Sequence, residues 1–143
     1  MKITNFDLIQ INNFFEQCGG KKLPQKINFA IMKNMAIIKP DVELYQQALQ
    51  GLFKTYDEDI IKKEDGTPET DEQGIPKLKE EKQEEFNKEL IDLLNMQIDI
   101  NFYIVDDEIF NYDDGDKYDP LSAQEIFNLQ RIICEEKEDI KNE

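Results

Sequence analysis

The sequence predicts a small, mainly helical α+β fold: about five helices with one clear short strand or small hairpin, in a single domain over residues 1–143. Three observations predict it. Apolar residues recur at spacings of three and four along most of the chain, the period of a helix with one buried face. One stretch, Ile98 to Ile104, instead alternates apolar and polar residues, as a half-buried strand does. Hydrophobic residues make up 39% of the chain and charged residues 34%, so the apolar supply suffices for one modest core drawn from these patterned segments.

The first helix starts at Thr4. Asp7 stands three residues on, which makes a near capping box. Leu8, Ile11, Phe15 and Cys18 then share one face, and Gly19-Gly20 ends the helix, because glycine adopts the left-handed conformation at low cost. Lys21 to Pro24 is a short connection. A second helix is predicted over Gln25 to Lys39, with Ile27, Ala30, Ile31, Asn34, Met35 and Ile38 on one side. The alternation of Ile27, Phe29 and Ile31 offers a strand as the competing reading. Pro40 closes this helix and opens a third, where its missing N–H costs nothing. Asp41 and Glu43 suit the positive start of that third helix. Its apolar face is Tyr45, Ala48, Leu49, Leu52, Phe53 and Tyr56, and it reads as an antiparallel partner for the second.

From Asp57 to Pro76 the helical pattern fails. Asp65-Gly66, Thr67-Pro68, Gly74 and Ile75-Pro76 are turn signals among dense acids, which predicts a long exposed, mobile loop or a loose hairpin over 57–76. No internal repeat is visible. A fourth helix runs from about Lys77 to Met96. Its first half is charged and projects from the body, and its second half is apolar through Phe86, Leu90, Leu93 and Leu94. The strand over Ile98 to Ile104 has Ile109 to Tyr112 or a second subunit as its partner, and Asp113-Asp114-Gly115-Asp116 is a turn. Ser122 with Glu125 makes a capping box for the last helix, with Leu121 and Ile126 as its hydrophobic staple. Ile126, Leu129, Ile132 and Ile133 face inward, and 135–143 is a charged tail.

The net charge of −15 is divided unevenly. Residues 1–56 carry seven Lys and four acids, for +3, whereas residues 57–143 carry 28 acids and ten Lys or Arg, for −18. Such a segment repels nucleic acid and speeds association with basic surfaces. It also solvates the protein. Direct binding to a nucleic-acid backbone needs a row of cations, and only Lys21, Lys22, Lys26 and Lys33 approach one.

The residue types exclude most catalytic chemistry. The chain has no His, one Ser and one Arg. Without His it lacks the commonest general base and the commonest zinc ligand. Ser122 caps a helix, and Cys18 or Cys134 as nucleophile lacks an imidazole partner. The two cysteines read as buried reduced thiols, which suits the cytoplasm, with a disulfide tying the first helix to the last as the alternative. Gly19-Gly20-Lys21-Lys22 has neither the spacing nor the Ser or Thr of a phosphate-binding loop. Glu80-x-Lys82 lacks the strand of a metal-dependent nuclease. The turn at Asp113 fails as a calcium loop, because Leu121 stands where the closing Glu belongs. No metal, cofactor or enzymatic activity is expected. Nor is a membrane span, since the longest apolar runs are about four residues against roughly 20 needed, and Met1 to Asn5 has no signal-peptide core.

The order of segments carries a resemblance. Lys22-Leu23-Pro24-Gln25-Lys26-Ile27-Asn28-Phe29-Ala30-Ile31-Met32-Lys33-Asn34 follows an amphipathic helix. An acidic Asp-Gly loop comes next, then Phe86-Asn87-Lys88-Glu89-Leu90-Ile91-Asp92-Leu93-Leu94, the alternating strand, and Leu121-Ser122-Ala123. This resembles a family of short phage and prophage proteins of uncharacterised function, encoded among tail and late genes. The resemblance covers most of the chain and implies a phage origin, but it supplies no catalytic residues.

Two functions are expected. The first is an acidic inhibitor that competes with nucleic acid for a host defence or nucleic-acid-handling protein with a basic surface. Its contacts would be Asp57, Glu58, Asp59, Glu69, Asp71, Glu72, Glu80, Glu81, Glu84, Glu85, Asp113, Asp114 and Asp116. The alternative is a virion or tail-assembly component that binds phage structural proteins. The strand edge also admits a second copy of the chain.

Overall fold

The computed structural model describes residues 1–113 and 115–135. The expected charged tail lies outside these residues, apart from Glu135. The chain runs β1 (Lys2–Thr4), α1 (Asn5–Gly19), α2 (Gln25–Thr55), α3 (Glu80–Asn95), β2 (Gln97–Asp99), a 3-10 helix (Asp107–Phe110) and α4 (Ala123–Ile133). The fold is mainly helical, with one two-stranded antiparallel sheet.

Both expected capping boxes form. The Thr4 hydroxyl accepts from the Asp7 N–H at 3.1 Å, and the Asp7 carboxylate accepts from the Thr4 N–H at 3.1 Å. Ser122 and Glu125 repeat this exchange at 3.1 and 3.0 Å. Each box satisfies two of the donors that a helix start leaves orphaned. Gly20 caps the end of α1 with φ −78°, so the expected left-handed cap is absent and the helix ends in right-handed backbone.

The expected second and third helices are one continuous helix. α2 passes straight through Pro40. The buried stripe Ile27, Ile31, Asn34, Ile38 and Val42 stays in phase across the proline, and no glycine there lets the chain reverse. Proline inside a helix removes one hydrogen bond, here to the carbonyl of Ala36, at a cost of about 3 kcal/mol. Both Pro40 and Ala36 are exposed, so water reaches that carbonyl. The competing strand over Ile27 to Ile31 does not occur either.

The expected strand over Ile98 to Ile104 is also shorter. β2 keeps only three residues, and its partner is β1, in the register Lys2↔Asp99, Ile3↔Ile98 and Thr4↔Gln97. Ile109 lies in the 3-10 helix, so the candidate partner Ile109 to Tyr112 is not a strand. Beyond Ile100 the chain leaves the sheet and runs along α2, where Asn34 holds it.

The core has two parts. The larger joins α1, the first half of α2, Ile100, Phe110 and α4 around Leu8, Phe15, Ile27, Ile31, Leu129 and Ile133. The smaller lies at the other end of α2, around Tyr56, Ile60, Leu78 and Phe86. Phe86 stacks on Phe53 with ring centroids 6.0 Å apart and meets Tyr56 edge-on at 5.5 Å. The second half of α2 and the charged first half of α3 thus form an antiparallel arm, closed at its tip by residues 57–79. The charged half of α3 projects as expected, but as half of a pair with its own core.

Candidate interaction surface

The tip of the arm is ordered by backbone bonds. The Ile61 N–H donates to the Lys77 carbonyl at 2.9 Å, Lys77 to Glu69 at 2.8 Å, and Glu69 to Ile61 at 2.9 Å. The three residues stand eight apart and close a ring, each donating to one neighbour and accepting from the other. The turns between them share the same spacing. Gly66 donates to the Lys63 carbonyl at 2.9 Å, Gly74 to Asp71 at 3.0 Å, and Lys82 to Lys79 at 2.8 Å. The chain therefore contains an internal repeat after all, Lys63-Glu64-Asp65-Gly66-Thr67-Pro68 against Asp71-Glu72-Gln73-Gly74-Ile75-Pro76. Glycine decides what each turn does. Gly66 and Gly74 take φ of +88° and +82°, and the chain doubles back. Lys82 holds the third such position, where a side chain disfavours that conformation. The chain there continues as α3 instead.

Side chains finish the tip. Asp65 Oδ1 accepts from the Thr67 N–H at 3.0 Å and from its hydroxyl at 2.6 Å, which lowers the carboxyl's pKa. Asp71 Oδ1 accepts from the Gln73 and Ile75 N–H groups, both at 2.9 Å. Gln83 Oε1 takes the Leu78 N–H at 2.7 Å, and Gln83 Nε2 donates to Asn87 at 3.0 Å. The segment expected as a long exposed loop or a loose hairpin is largely exposed, and antiparallel bridges such as Lys62↔Pro68 and Thr70↔Pro76 close it over the second core.

The tip gathers ten of the thirteen expected contact residues: Asp57, Glu58, Asp59, Glu69, Asp71, Glu72, Glu80, Glu81, Glu84 and Glu85. Their roles differ. Asp57 pairs with Lys62 at 2.9 Å, and Asp71 holds a turn. Asp59 and Glu69 are half-buried. Glu85 makes a long contact to Lys82, 3.5 Å. Glu58, Glu72, Glu80, Glu81 and Glu84 are exposed. Three carboxylates also surround the Tyr56 hydroxyl. The bond from Tyr56 to Glu89, then burial, then the charges of Glu89, Glu85 and Asp59 push its pKa up to about 12. Glu89 and the turn acids Glu64 and Asp65 belong to this surface and escape a reading by composition. The eight-residue spacing of the two glycines and two prolines was the signal that would have found the turn acids.

The other expected contacts lie elsewhere. Asp113 and Asp116 are exposed in the segment before α4, and Asp113 Oδ1 accepts from the Gly115 N–H at 3.0 Å. Asp114 lies outside the described residues. This segment is tied to the start of α2, because Asp119 Oδ2 accepts from the Lys22 N–H at 2.7 Å. A helix of 31 residues is about 46 Å long at 1.5 Å per residue. The two groups of acids therefore sit at opposite ends of α2 and do not form one face.

Beside the second group, Lys21 bridges to Glu125 at 2.8 Å. The lysine and the Ser122 N–H lower the Glu125 pKa. Burial, with Glu125 beside it, pushes the Cys18 thiol up to about 11, so it stays protonated. No group of three metal-ligating side chains occurs among the described residues. No helix among them is long and apolar enough to cross a membrane.

Comparison with protein-family models, with curated proteins and with solved structures finds no match.

Proposed function

We propose that the protein is a non-enzymatic, phage-type acidic binding protein that docks a basic protein surface through the tip of its arm. On this reading it acts in the host cytoplasm as an inhibitor of a defence or nucleic-acid-handling protein, displacing nucleic acid from that surface. The supporting observation is the cyclic backbone ring Ile61–Glu69–Lys77, which orders the acidic end of a narrow arm. Carboxylates carried on an ordered backbone lose less entropy on docking than acids on a free loop. Glu58, Glu72, Glu80, Glu81 and Glu84 are the residues that meet the partner's cations.

The reading predicts steep salt dependence, because exposed ion pairs are screened beyond about 8 Å at physiological ionic strength. The test is affinity capture from infected host lysate at low salt. Capture of a host nucleic-acid-binding protein that elutes as salt rises supports the reading. Salt-resistant capture of tail or capsid proteins contradicts it.

A virion or tail-assembly component is the second reading. It draws on the resemblance to phage proteins and on exposed apolar side chains along α2, notably Phe29, Met32 and Leu44.

A further inference from the structure

The extended chain after Ile100 is bonded along one side and open along the other. The Tyr103 N–H donates to Asn34 Oδ1 at 2.7 Å, and the Tyr103 carbonyl accepts from Asn34 Nδ2 at 3.0 Å. Two residues on, the Val105 N–H donates to the Ile133 carbonyl at 2.8 Å. Successive residues of an extended chain point their backbone groups to opposite sides. The N–H and carbonyl groups of Phe102 and Ile104 therefore face away from Asn34, and among the described residues they meet no hydrogen-bond partner. Ile100 shares their parity, and its N–H donates to the Met1 carbonyl at 2.9 Å. The open edge thus continues the edge that β1 covers.

The sequence leaves this edge unguarded. Exposed edges are commonly blunted by charge, proline or a bulge. Ile100 to Val105 has no charged residue, Gly or Pro, in a chain that is 34% charged. Ile104 is 45% exposed, and with Phe29, Tyr103, Val105 and Ile109 it lines an open groove of about 450 Å³. Lys26 is the one cation in that lining. Acids flank the uncharged stretch at both ends: Asp99 precedes it, and Asp106 and Glu108 follow it, all exposed.

We propose that the edge at Phe102 and Ile104 receives an extended strand of a partner protein, apolar at its centre and basic at its ends. The main chain of such a strand bonds the open N–H and carbonyl groups, and one of its apolar side chains enters the groove beside Ile104. Its basic ends meet Asp99 on one side and Asp106 and Glu108 on the other. The same acids disfavour a second copy of this chain as the occupant. The antiparallel register that joins both open residues to both is centred on Tyr103, and it sets Asp99 of one copy across from Asp107 of the other. Like charges directly opposite destabilise a strand pair.

The groove lies at the start of α2, at the far end of that helix from the arm tip, and the proposal does not depend on what the tip binds. The probe is a short synthetic peptide of alternating valine and threonine with lysines at both ends. It is titrated into the full chain and followed by fluorescence polarisation and amide hydrogen exchange. The peptide binds, and the amides of Phe102 and Ile104 gain protection. The same peptide with its central amides N-methylated keeps every charge but loses its donors. It binds at least about tenfold more weakly, the effect of losing two hydrogen bonds. Ile104→Pro takes the N–H from the edge and weakens binding by a similar factor. Its melting temperature stays unchanged, because no bond among the described residues uses that N–H. Equal binding of the N-methylated peptide, protection confined to the arm tip, or a wild type that protects these amides by dimerising without peptide would each overturn the proposal.

Discussion

Asn34 makes two bonds to the backbone of Tyr103: its Oδ1 accepts from the Tyr103 N–H at 2.7 Å, and its Nδ2 donates to the Tyr103 carbonyl at 3.0 Å. A side chain here stands in for a neighbouring strand. Asn34 is fully buried on the inner face of α2, and the same Nδ2 donates to the Ala30 carbonyl at 2.9 Å. The extended chain after Ile100 needs backbone partners, and the sheet ends at Asp99. Asn34 supplies them from a helix. Phe29 reinforces the clamp by meeting Tyr103 edge-on, with centroids 5.9 Å apart.

Replacing Asn34 by Ala should therefore cost far more than a surface change. It strips the part-buried Tyr103 N–H and carbonyl of their partner and empties the site of a fully buried side chain. The expected loss is about 3 kcal/mol in urea unfolding, with α2 still helical by circular dichroism. Asn34→Asp keeps an acceptor for the Tyr103 N–H but buries a carboxylate against the Ala30 and Tyr103 carbonyl oxygens, so it should destabilise at least as much as alanine, whereas a negligible loss in Asn34→Ala would show that the clamp contributes nothing.

Phe86→Ala should empty the second core. Truncating a buried Phe costs about 3–5 kcal/mol. Hydrogen exchange should then show the amides of Ile61, Glu69 and Lys77 losing protection before those of α1, because the ring rests on this core. Uniform loss across the chain would mean that the arm does not open as a unit.

Gly66→Ala and Gly74→Ala test the turns of the tip. Both glycines hold positive φ, which costs an alanine roughly 1–2 kcal/mol. Neither added Cβ meets an atom within 4 Å, so the cost is conformational only. Each variant should lower unfolding free energy by about 1 kcal/mol, and Gly66→Asn should lower it less, since Asn tolerates the left-handed region.

Acid should weaken the anchor of α4. The Glu125 carboxyl has a pKa lowered from 4.5 by Lys21 and the Ser122 N–H. A lowered carboxyl contributes stability that is full above its unfolded value and is lost as pH falls through its folded value. Melting temperature should drop as pH falls below 4.5, and the Glu125→Gln variant should start lower and change less over that window. An identical acid profile for both proteins would assign the drop to other carboxylates.

What the sequence made legible was local. Thr4 with Asp7 and Ser122 with Glu125 set helix starts within four residues, and both boxes form. Tertiary events were not legible. β1 pairs with β2 across more than ninety residues, and no pattern in Lys2 to Thr4 announces a strand that short. Pro40 is a breaker by local rules, but burial of Ile38 and Val42 on one face outweighs its cost of about 3 kcal/mol. Alternation alone is no guide to a strand either. Phe102 and Ile104 keep the period of two but lie beyond the sheet, where Asn34 holds the chain. The tip acids were found by composition, whereas their division from Asp113 and Asp116 depends on the length of α2, which a helix break at Pro40 would have halved.

The most direct test of the central claim compares two neutralised variants in the same low-salt capture from infected host lysate. One carries Glu72, Glu80, Glu81 and Glu84 changed to Gln at the arm tip, and the other carries Asp113 and Asp116 changed to Asn at the far end. The arm-tip reading predicts that the first variant loses the salt-released partner while the second retains it. Retention by the tip variant would contradict that reading.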